Sequence, residues 1–183
     1  MTRERYMRLA EPFQKHPALL RALRGTDKVL TALVYLAYPV LLCVLFFTRD
    51  TRFWRCVLVP GVSFAVVSVL RRLINAKRPY EALEFSPLLQ KDKRGESFPS
   101  RHVFSVFVIA FAFYYTFVPA GIVLTVLGVL LAVVRVVGGV HFPRDVLCGA
   151  ATGILCGAVG VFLLYAAGNT YQMCPAFRKP CAP

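Results

Sequence analysis

Long stretches of sequence without a charged residue constrain this chain more than any other feature. Five such stretches occur, at residues 29–47, 56–70, 103–118, 119–134 and 146–168. A helix needs about 20 apolar residues to cross a hydrocarbon core of about 30 Å, so the shorter stretches require extra turns from their flanks. The pattern predicts an all-α, polytopic membrane helical bundle of about five transmembrane helices.

The balance of apolar and charged residues agrees with a membrane protein. Hydrophobic residues make up 57% of the 183-residue chain and charged residues 17%, which is too apolar for an ordinary soluble domain. The formal net charge of +13 would suit a polyanion, but the charge-free stretches separate the basic residues. We therefore expect the bilayer and an anionic lipid as partners, and no nucleic acid.

The charge-free sequence from 103 to 134 is long enough to be ambiguous. As one helix its 32 residues would reach about 48 Å, well past the hydrocarbon thickness. Pro119, Ala120 and Gly121 lie at its midpoint and have the chemistry of a turn. We predict two spans that reverse there.

The first 28 residues differ in kind, because seven Lys and Arg alternate with apolar side chains. This composition predicts an amphipathic segment lying in the membrane interface, broken near Pro12 and Pro17. The predicted organisation is an interfacial segment at 1–28, a transmembrane domain at 29–168 and a short polar tail at 169–183. In that tail, Cys174 and Cys181 could form a disulfide or remain free thiols.

Three polar regions interrupt the apolar pattern, and the first follows the second apolar stretch. Arg71 and Arg78 are seven residues apart, close to two helical turns, so both side chains can point the same way if the helix continues. The region could bind an anion. It could also be a basic membrane edge with snorkelling side chains.

The second polar region directly precedes the third apolar stretch. Pro99 favours the first turn of a helix, which would put the following amides among the unpaired donors of that turn. Ser100, Arg101 and His102 would then surround an anion site with a hydroxyl, a guanidinium and a titratable imidazole. An ordinary helix cap with a surface histidine is the alternative.

The third polar region lies between the last two apolar stretches. Asp145 is four residues after His141, a spacing at which the carboxylate can accept the imidazole N–H and leave the other nitrogen available for attack. Gly138 and Gly139 relax the backbone, and Arg135 adds a cation. A polar hinge is the alternative, although acids and histidines are costly at a membrane edge.

Taken together, the three regions resemble the type 2 phosphatidic acid phosphatase superfamily, the lipid phosphatases related to vanadium haloperoxidases. That family has Lys and Arg-Pro with six residues between them, then Pro-Ser-Gly-His, then Ser-Arg and His with five residues between them, and then Asp after three further residues. The matching residues here are Arg71 with Arg78 and Pro79, then Pro99 to His102, then Arg135 with His141 and Asp145. Short bacterial undecaprenyl pyrophosphate phosphatases have a similar layout.

Three positions depart from the family pattern. Arg71 replaces Lys, which keeps the charge and adds bidentate donors. Arg101 replaces Gly and adds a cation that could favour a diphosphate, and Val134 replaces Ser and removes a hydroxyl.

The resemblance implies hydrolysis of a lipid phosphate or diphosphate, of the undecaprenyl pyrophosphate, phosphatidic acid or phosphatidylglycerol phosphate type. His141 would be the nucleophile that forms a phosphohistidine, Asp145 would orient it, and His102 would protonate the leaving oxygen. Arg71, Arg78 and Arg135 would bind the phosphoryl oxygens, together with Ser100, Arg101 and nearby amides.

No cofactor or metal is expected, because the acidic residues near these regions are scattered. These acidic residues are Glu81, Glu84, Asp92 and Glu96, and we interpret them as part of a solvated loop over the site. Two other functions stay open: a lipid phosphotransferase with the same phosphohistidine, and a non-catalytic membrane phospholipid-binding protein.

Two arguments from the sequence disagree about which side of the membrane the site faces. Five spans would put 17 of the 22 Lys and Arg on the site's face, which the positive-inside rule assigns to the cytoplasm. The resemblance to undecaprenyl pyrophosphate phosphatases points outward. We predict a multi-pass protein of the cell membrane with the site at the outer face.

Overall fold

A computed structural model of the chain describes the backbone of residues 2–90 and 93–172, and the side chains of these residues up to position 160. Seven helices form within the described residues, and no strand does. In chain order they are α1 Arg3–Lys15, α2 Pro17–Phe47, α3 Phe53–Ile74, α4 Pro79–Ala82, α5 Arg101–Thr116, α6 Val118–Val137 and α7 Pro143–Gln172. The predicted all-α class is confirmed.

The five apolar stretches fall in α2, α3, α5, α6 and α7. Within the described residues, three segments are long and apolar enough to cross a membrane: Pro17–Phe47, Phe53–Ala82 and Val118–Val137. Helix α5 has 16 residues and is shorter than a typical span of about 20. The chain forms a membrane helical bundle, and the count of five spans stays a prediction.

Helix α5 lies at the centre of the bundle and packs against α2, α3, α6 and α7. Its buried residues lie between Val103 and Ala112. The outer helices instead expose large apolar side chains such as Val62, Leu73 and Val123, as expected of surfaces that face lipid.

Glycines spaced four residues apart allow α7 to approach α5 closely. A Cβ atom on Gly149 would lie 2.7 Å from the Ser100 carbonyl oxygen, and one on Gly153 would lie 2.7 Å from the Phe104 carbonyl oxygen. Such small residues bring helix backbones together in lipid, where hydrophobic burial offers little driving force between helices. The approach places the start of α7 beside the start of α5.

The break between α5 and α6 is at Phe117, two residues before the predicted turn. Pro119, Ala120 and Gly121 lie inside the first turns of α6, so the predicted position of the turn was wrong. A proline suits the first turn of a helix, because the amide it lacks would have no partner there. The predicted reversal into two helices is nevertheless present.

The N-terminal segment forms one helix and part of the next. Pro12 lies inside α1, so the predicted break at Pro12 was wrong; the break is at His16, just before Pro17. Pro12 lacks the amide that would donate to the carbonyl oxygen of Arg8, yet α1 continues to Lys15. Helix α2 continues through the predicted boundary between residues 28 and 29.

Helix α1 is packed on the bundle through Tyr6, which is 1% exposed. Its hydroxyl donates hydrogen bonds to the carbonyl oxygens of Val136 and Val137, at the end of α6. Its ring stacks on Phe85, with ring centroids 4.3 Å apart. The N-terminal segment, the loop after α3 and the α6–α7 loop therefore lie at one end of the bundle. Placement of α1 in the membrane interface stays a prediction.

We expect Gly153→Ala to destabilise the bundle by about 1–3 kcal/mol, because overpacking forces neighbouring atoms apart. The measurement is thermal unfolding in detergent, followed by circular dichroism. Gly61→Ala is the matched control, since a Cβ atom at Gly61 would have no atom within 4 Å. Equal midpoints for both variants would contradict the close α5–α7 packing.

Candidate active site

The Asp145 carboxylate, at the start of α7, is 1% exposed and joins two of the three polar regions. Its Oδ2 accepts hydrogen bonds from the Ser97 hydroxyl at 2.5 Å and from the Phe142 amide at 3.0 Å. Its main-chain carbonyl accepts a hydrogen bond from the Ser100 amide at 2.8 Å. The starts of α5 and α7 are thus held together at this residue.

His141 lies in the short loop between α6 and α7 and is 2% exposed. Its Nδ1 is 3.7 Å from Asp145 Oδ2, which is the predicted pairing at a separation longer than a hydrogen bond. Such distances often shorten when substrate binds. Burial lowers the pKa of His141 to about 4, so the imidazole is neutral at pH 7.

Arg71 and Arg78 are buried and hold the loop that precedes α5. The Arg71 guanidinium donates hydrogen bonds to the carbonyl oxygens of Pro99 and Glu96. Arg78 Nε donates to the Gly95 carbonyl oxygen at 3.0 Å. These contacts bring the first polar region against the second and leave further N–H groups of both side chains for a ligand.

Glu81 has a structural role that the sequence interpretation missed. Its Oε2 accepts hydrogen bonds from the Arg78 amide at 2.9 Å and from the Gly95 amide at 2.8 Å. Glu81 is partly buried. The interpretation of the four acidic residues as a solvated loop was therefore wrong for Glu81. The carboxylate ties α4 to the loop because it satisfies two backbone donors at once.

Arg135, in the last turn of α6, is 2% exposed and pairs with a residue far away in sequence. Its Nε is 2.8 Å from Asp27 Oδ1 on α2. Its Nη2 donates to the Thr31 hydroxyl at 3.3 Å. Sequence reasoning missed both partners, and no sequence signal marks them, because Asp27 lies in the segment interpreted as interfacial and Thr31 lies in the first apolar stretch.

The second polar region is placed partly as predicted. Helix α5 begins at Arg101 with Ser100 as its N-cap, so Pro99 precedes the helix rather than starting it. Ser100 is fully buried, and its Oγ has no hydrogen-bond partner among the described residues. Its amide already donates to the Asp145 carbonyl oxygen, and phosphate binding by the amides near Ser100 and Arg101 stays a prediction.

Arg101 and His102 occupy the first turn of α5 and are both partly buried. The Arg101 guanidinium lies 5.7 Å from the centre of the Phe64 ring on α3, within the range of a cation–π contact. Amides in the first turn of a helix lack acceptors in that helix and favour a negatively charged ligand nearby.

The charges of the site favour an anion. Three guanidinium groups, the arginine cluster of Arg71, Arg78 and Arg135, are each at most 6% exposed. The buried carboxylate of Asp145 and the partly buried carboxylate of Asp27 offset this charge only in part. Among the described residues, no group of three His, Cys, Asp or Glu side chains is placed to hold a metal ion.

Comparison with known proteins connects this geometry to one family. A family model described as the PAP2 superfamily matches residues 52–169. The bacitracin transport permease protein BcrC of Bacillus licheniformis is 29% identical over 118 residues, or 62% of this chain. The match covers 58% of that protein's length.

Two solved structures resemble the whole bundle. Aquifex aeolicus LpxE is 27% identical with a TM-score of 0.68, covering 87% of this chain and 93% of that one. A PAP2-type phosphatidylglycerolphosphate phosphatase from Bacillus subtilis is 25% identical with a TM-score of 0.55, covering 94% and 95%.

We expect the His141 imidazole to stay neutral between pH 7.5 and 5. Its C–H signals in a histidine NMR titration should not shift over this range, and His141→Gln identifies them. Burial lowers the pKa of His141 in the folded state to about 4 from the usual 6.5. The His141 side chain should therefore make the fold less stable as the pH falls from 6.5 to about 4. A midpoint near 6.5 would contradict the burial.

Proposed function

Because this chain belongs to the PAP2 superfamily, we propose that it is an integral-membrane phosphatase that hydrolyses a lipid phosphate or diphosphate through a phosphohistidine intermediate. The observation that supports this most is a buried His141 beside the Asp145 carboxylate and the arginine cluster. The substrate would be of the undecaprenyl pyrophosphate, phosphatidic acid or phosphatidylglycerol phosphate type.

His141 is the nucleophile in this proposal. Its Nδ1 faces Asp145, so Nε2 is the atom that attacks phosphorus. Asp145 stabilises the imidazolium that develops, and the Ser97 hydrogen bond keeps the carboxylate in place. A neutral imidazole is required, since a protonated one has no lone pair to donate.

His102 transfers the protons. As the bond from His141 to phosphorus forms, the bond from phosphorus to the leaving oxygen breaks, and His102 donates its proton to that oxygen. The neutral His102 then takes a proton from a water molecule, whose oxygen attacks phosphorus. The N–P bond breaks, which releases phosphate and restores His141.

The arginine cluster binds the phosphoryl oxygens and stabilises the charge that develops in the transition state. Arg71 and Arg78 are fixed by carbonyl groups of the loop before α5, so little reorganisation is needed during the reaction. Ser100 contributes its unpartnered hydroxyl, and Arg101 extends the positive charge at the edge of the site. No metal takes part in the proposed reaction.

We place the site at the outer face of the cell membrane. The charge distribution alone favours the cytoplasm, but four of the cations that produce it, Arg101 and the arginine cluster, are explained by phosphate binding in this proposal. The similarity to undecaprenyl pyrophosphate phosphatases does not depend on loop charge and favours the outer face.

His141→Ala should lower kcat at least about 1,000-fold, because it removes the nucleophile. The measurement is phosphate release by purified protein in buffer with EDTA, on undecaprenyl pyrophosphate, phosphatidic acid and phosphatidylglycerol phosphate. The control is His16→Ala, since His16 is exposed at the end of α1. More than a few per cent of wild-type turnover in His141→Ala would rule out His141 as the nucleophile.

A cysteine at position 93 should react with an impermeant thiol reagent in intact cells. Lys93 is exposed on the loop at the site end of the bundle, and the native cysteines are replaced in this variant. A second variant, Arg49→Cys, places the thiol at the opposite end and should react only after permeabilisation. The reverse labelling pattern would put the site in the cytoplasm.

A further inference from the structure

A carboxylate from outside the matched family region contacts the arginine cluster. The family match begins at residue 52, whereas Asp27 and Thr31 belong to α2. The two residues are one helical turn apart, so their side chains share a face of α2. That face meets the last turn of α6, where both side chains contact Arg135.

The contacts fix the orientation of the Arg135 guanidinium. A guanidinium has five N–H groups in a rigid plane. Asp27 lies against Nε, and Thr31 accepts from Nη2. The Thr31 hydrogen bond and the Asp27 ion pair, which lacks hydrogen-bond geometry, restrain the Nε–Nη2 edge of the group and leave Nη1 and the second N–H of Nη2 for a ligand.

Arg135 differs from Arg71 and Arg78 because one of the groups that hold it is charged. Arg71 and Arg78 are held by neutral carbonyl oxygens of the loop before α5. Arg135 is held by a carboxylate, with Asp27 13% exposed and Arg135 2% exposed. The carboxylate therefore adds an ion-pair attraction at Arg135 that the neutral carbonyl groups at Arg71 and Arg78 do not supply.

Further contacts hold the end of α6 from the same side. The Tyr6 hydroxyl donates to the carbonyl oxygens of Val136 and Val137, directly after Arg135. Arg24, one turn before Asp27, donates from Nε to the Leu88 carbonyl oxygen at 2.9 Å, and the Leu89 amide donates to Gly138 at 3.1 Å. The N-terminal helices therefore restrain both the backbone and the side chain at Arg135.

We propose that Asp27, assisted by Thr31, is a positioning residue that aligns Arg135 for phosphoryl transfer, so that the N-terminal segment completes the active site. The inference rests on the proposed phosphatase function. Asp27 does not contact substrate; it acts through the guanidinium. Because alignment matters most in the transition state, its loss should affect kcat more than KM.

The test compares Asp27→Asn, Asp27→Glu and Asp50→Asn in the phosphate-release assay. Asp50 is the matched control, since it pairs with Arg52 at 2.6 Å at the opposite end of the bundle. We expect Asp27→Asn to lower kcat at least tenfold with KM changed less than threefold. Asp27→Glu should recover most of kcat, and Asp50→Asn should keep it.

The outcomes separate positioning from a purely structural role. Wild-type kcat in Asp27→Asn, or an equal loss in Asp50→Asn, would overturn the inference. If Asp27→Asn does not fold, Thr31→Val tests the inference instead, because this variant keeps the Asp27 carboxylate. A threefold or greater fall in kcat would support a positioning role. An unchanged kcat would reject it. Absence of turnover by the wild-type protein on every lipid would instead refute the proposed function.

Discussion

The junction at Asp145 is the interaction on which the site depends. One residue accepts the Ser97 hydroxyl and the Phe142 amide through its side chain and the Ser100 amide through its main chain. A buried carboxylate is stable only when such donors surround it, so the geometry around it is strongly specified. The loop before α5, the loop before α7 and His141 are positioned as a consequence.

Close helix packing makes that junction possible. The small residues Gly149 and Gly153 let α7 lie against the backbone of α5, whose start would otherwise be out of hydrogen-bond reach. Burial then lowers the pKa of His141 and strengthens the interactions of the neighbouring cations. The packing of α7 against α5 therefore determines where the residues of the candidate site lie.

The N-terminal segment belongs to this arrangement as well. Its sequence alone has the character of an interfacial amphipathic segment, yet Tyr6 is buried against the end of α6 and Asp27 pairs with Arg135. The part of the chain that matches the family therefore has its arginine cluster supported from outside that match.

The sequence by itself determined the helical membrane fold and most of the candidate site. Charge-free stretches predict helices because apolar length is a local property, and the spacing of His141 and Asp145 predicts their proximity because only three residues separate them. Only the tertiary structure decided that Asp27 supports Arg135, that Glu81 joins Arg78 to Gly95, and that the Ser100 amide is already used. These partners are distant in sequence or depend on exact backbone placement, and local periodicity contains no information about which buried donors and acceptors will meet when helices pack.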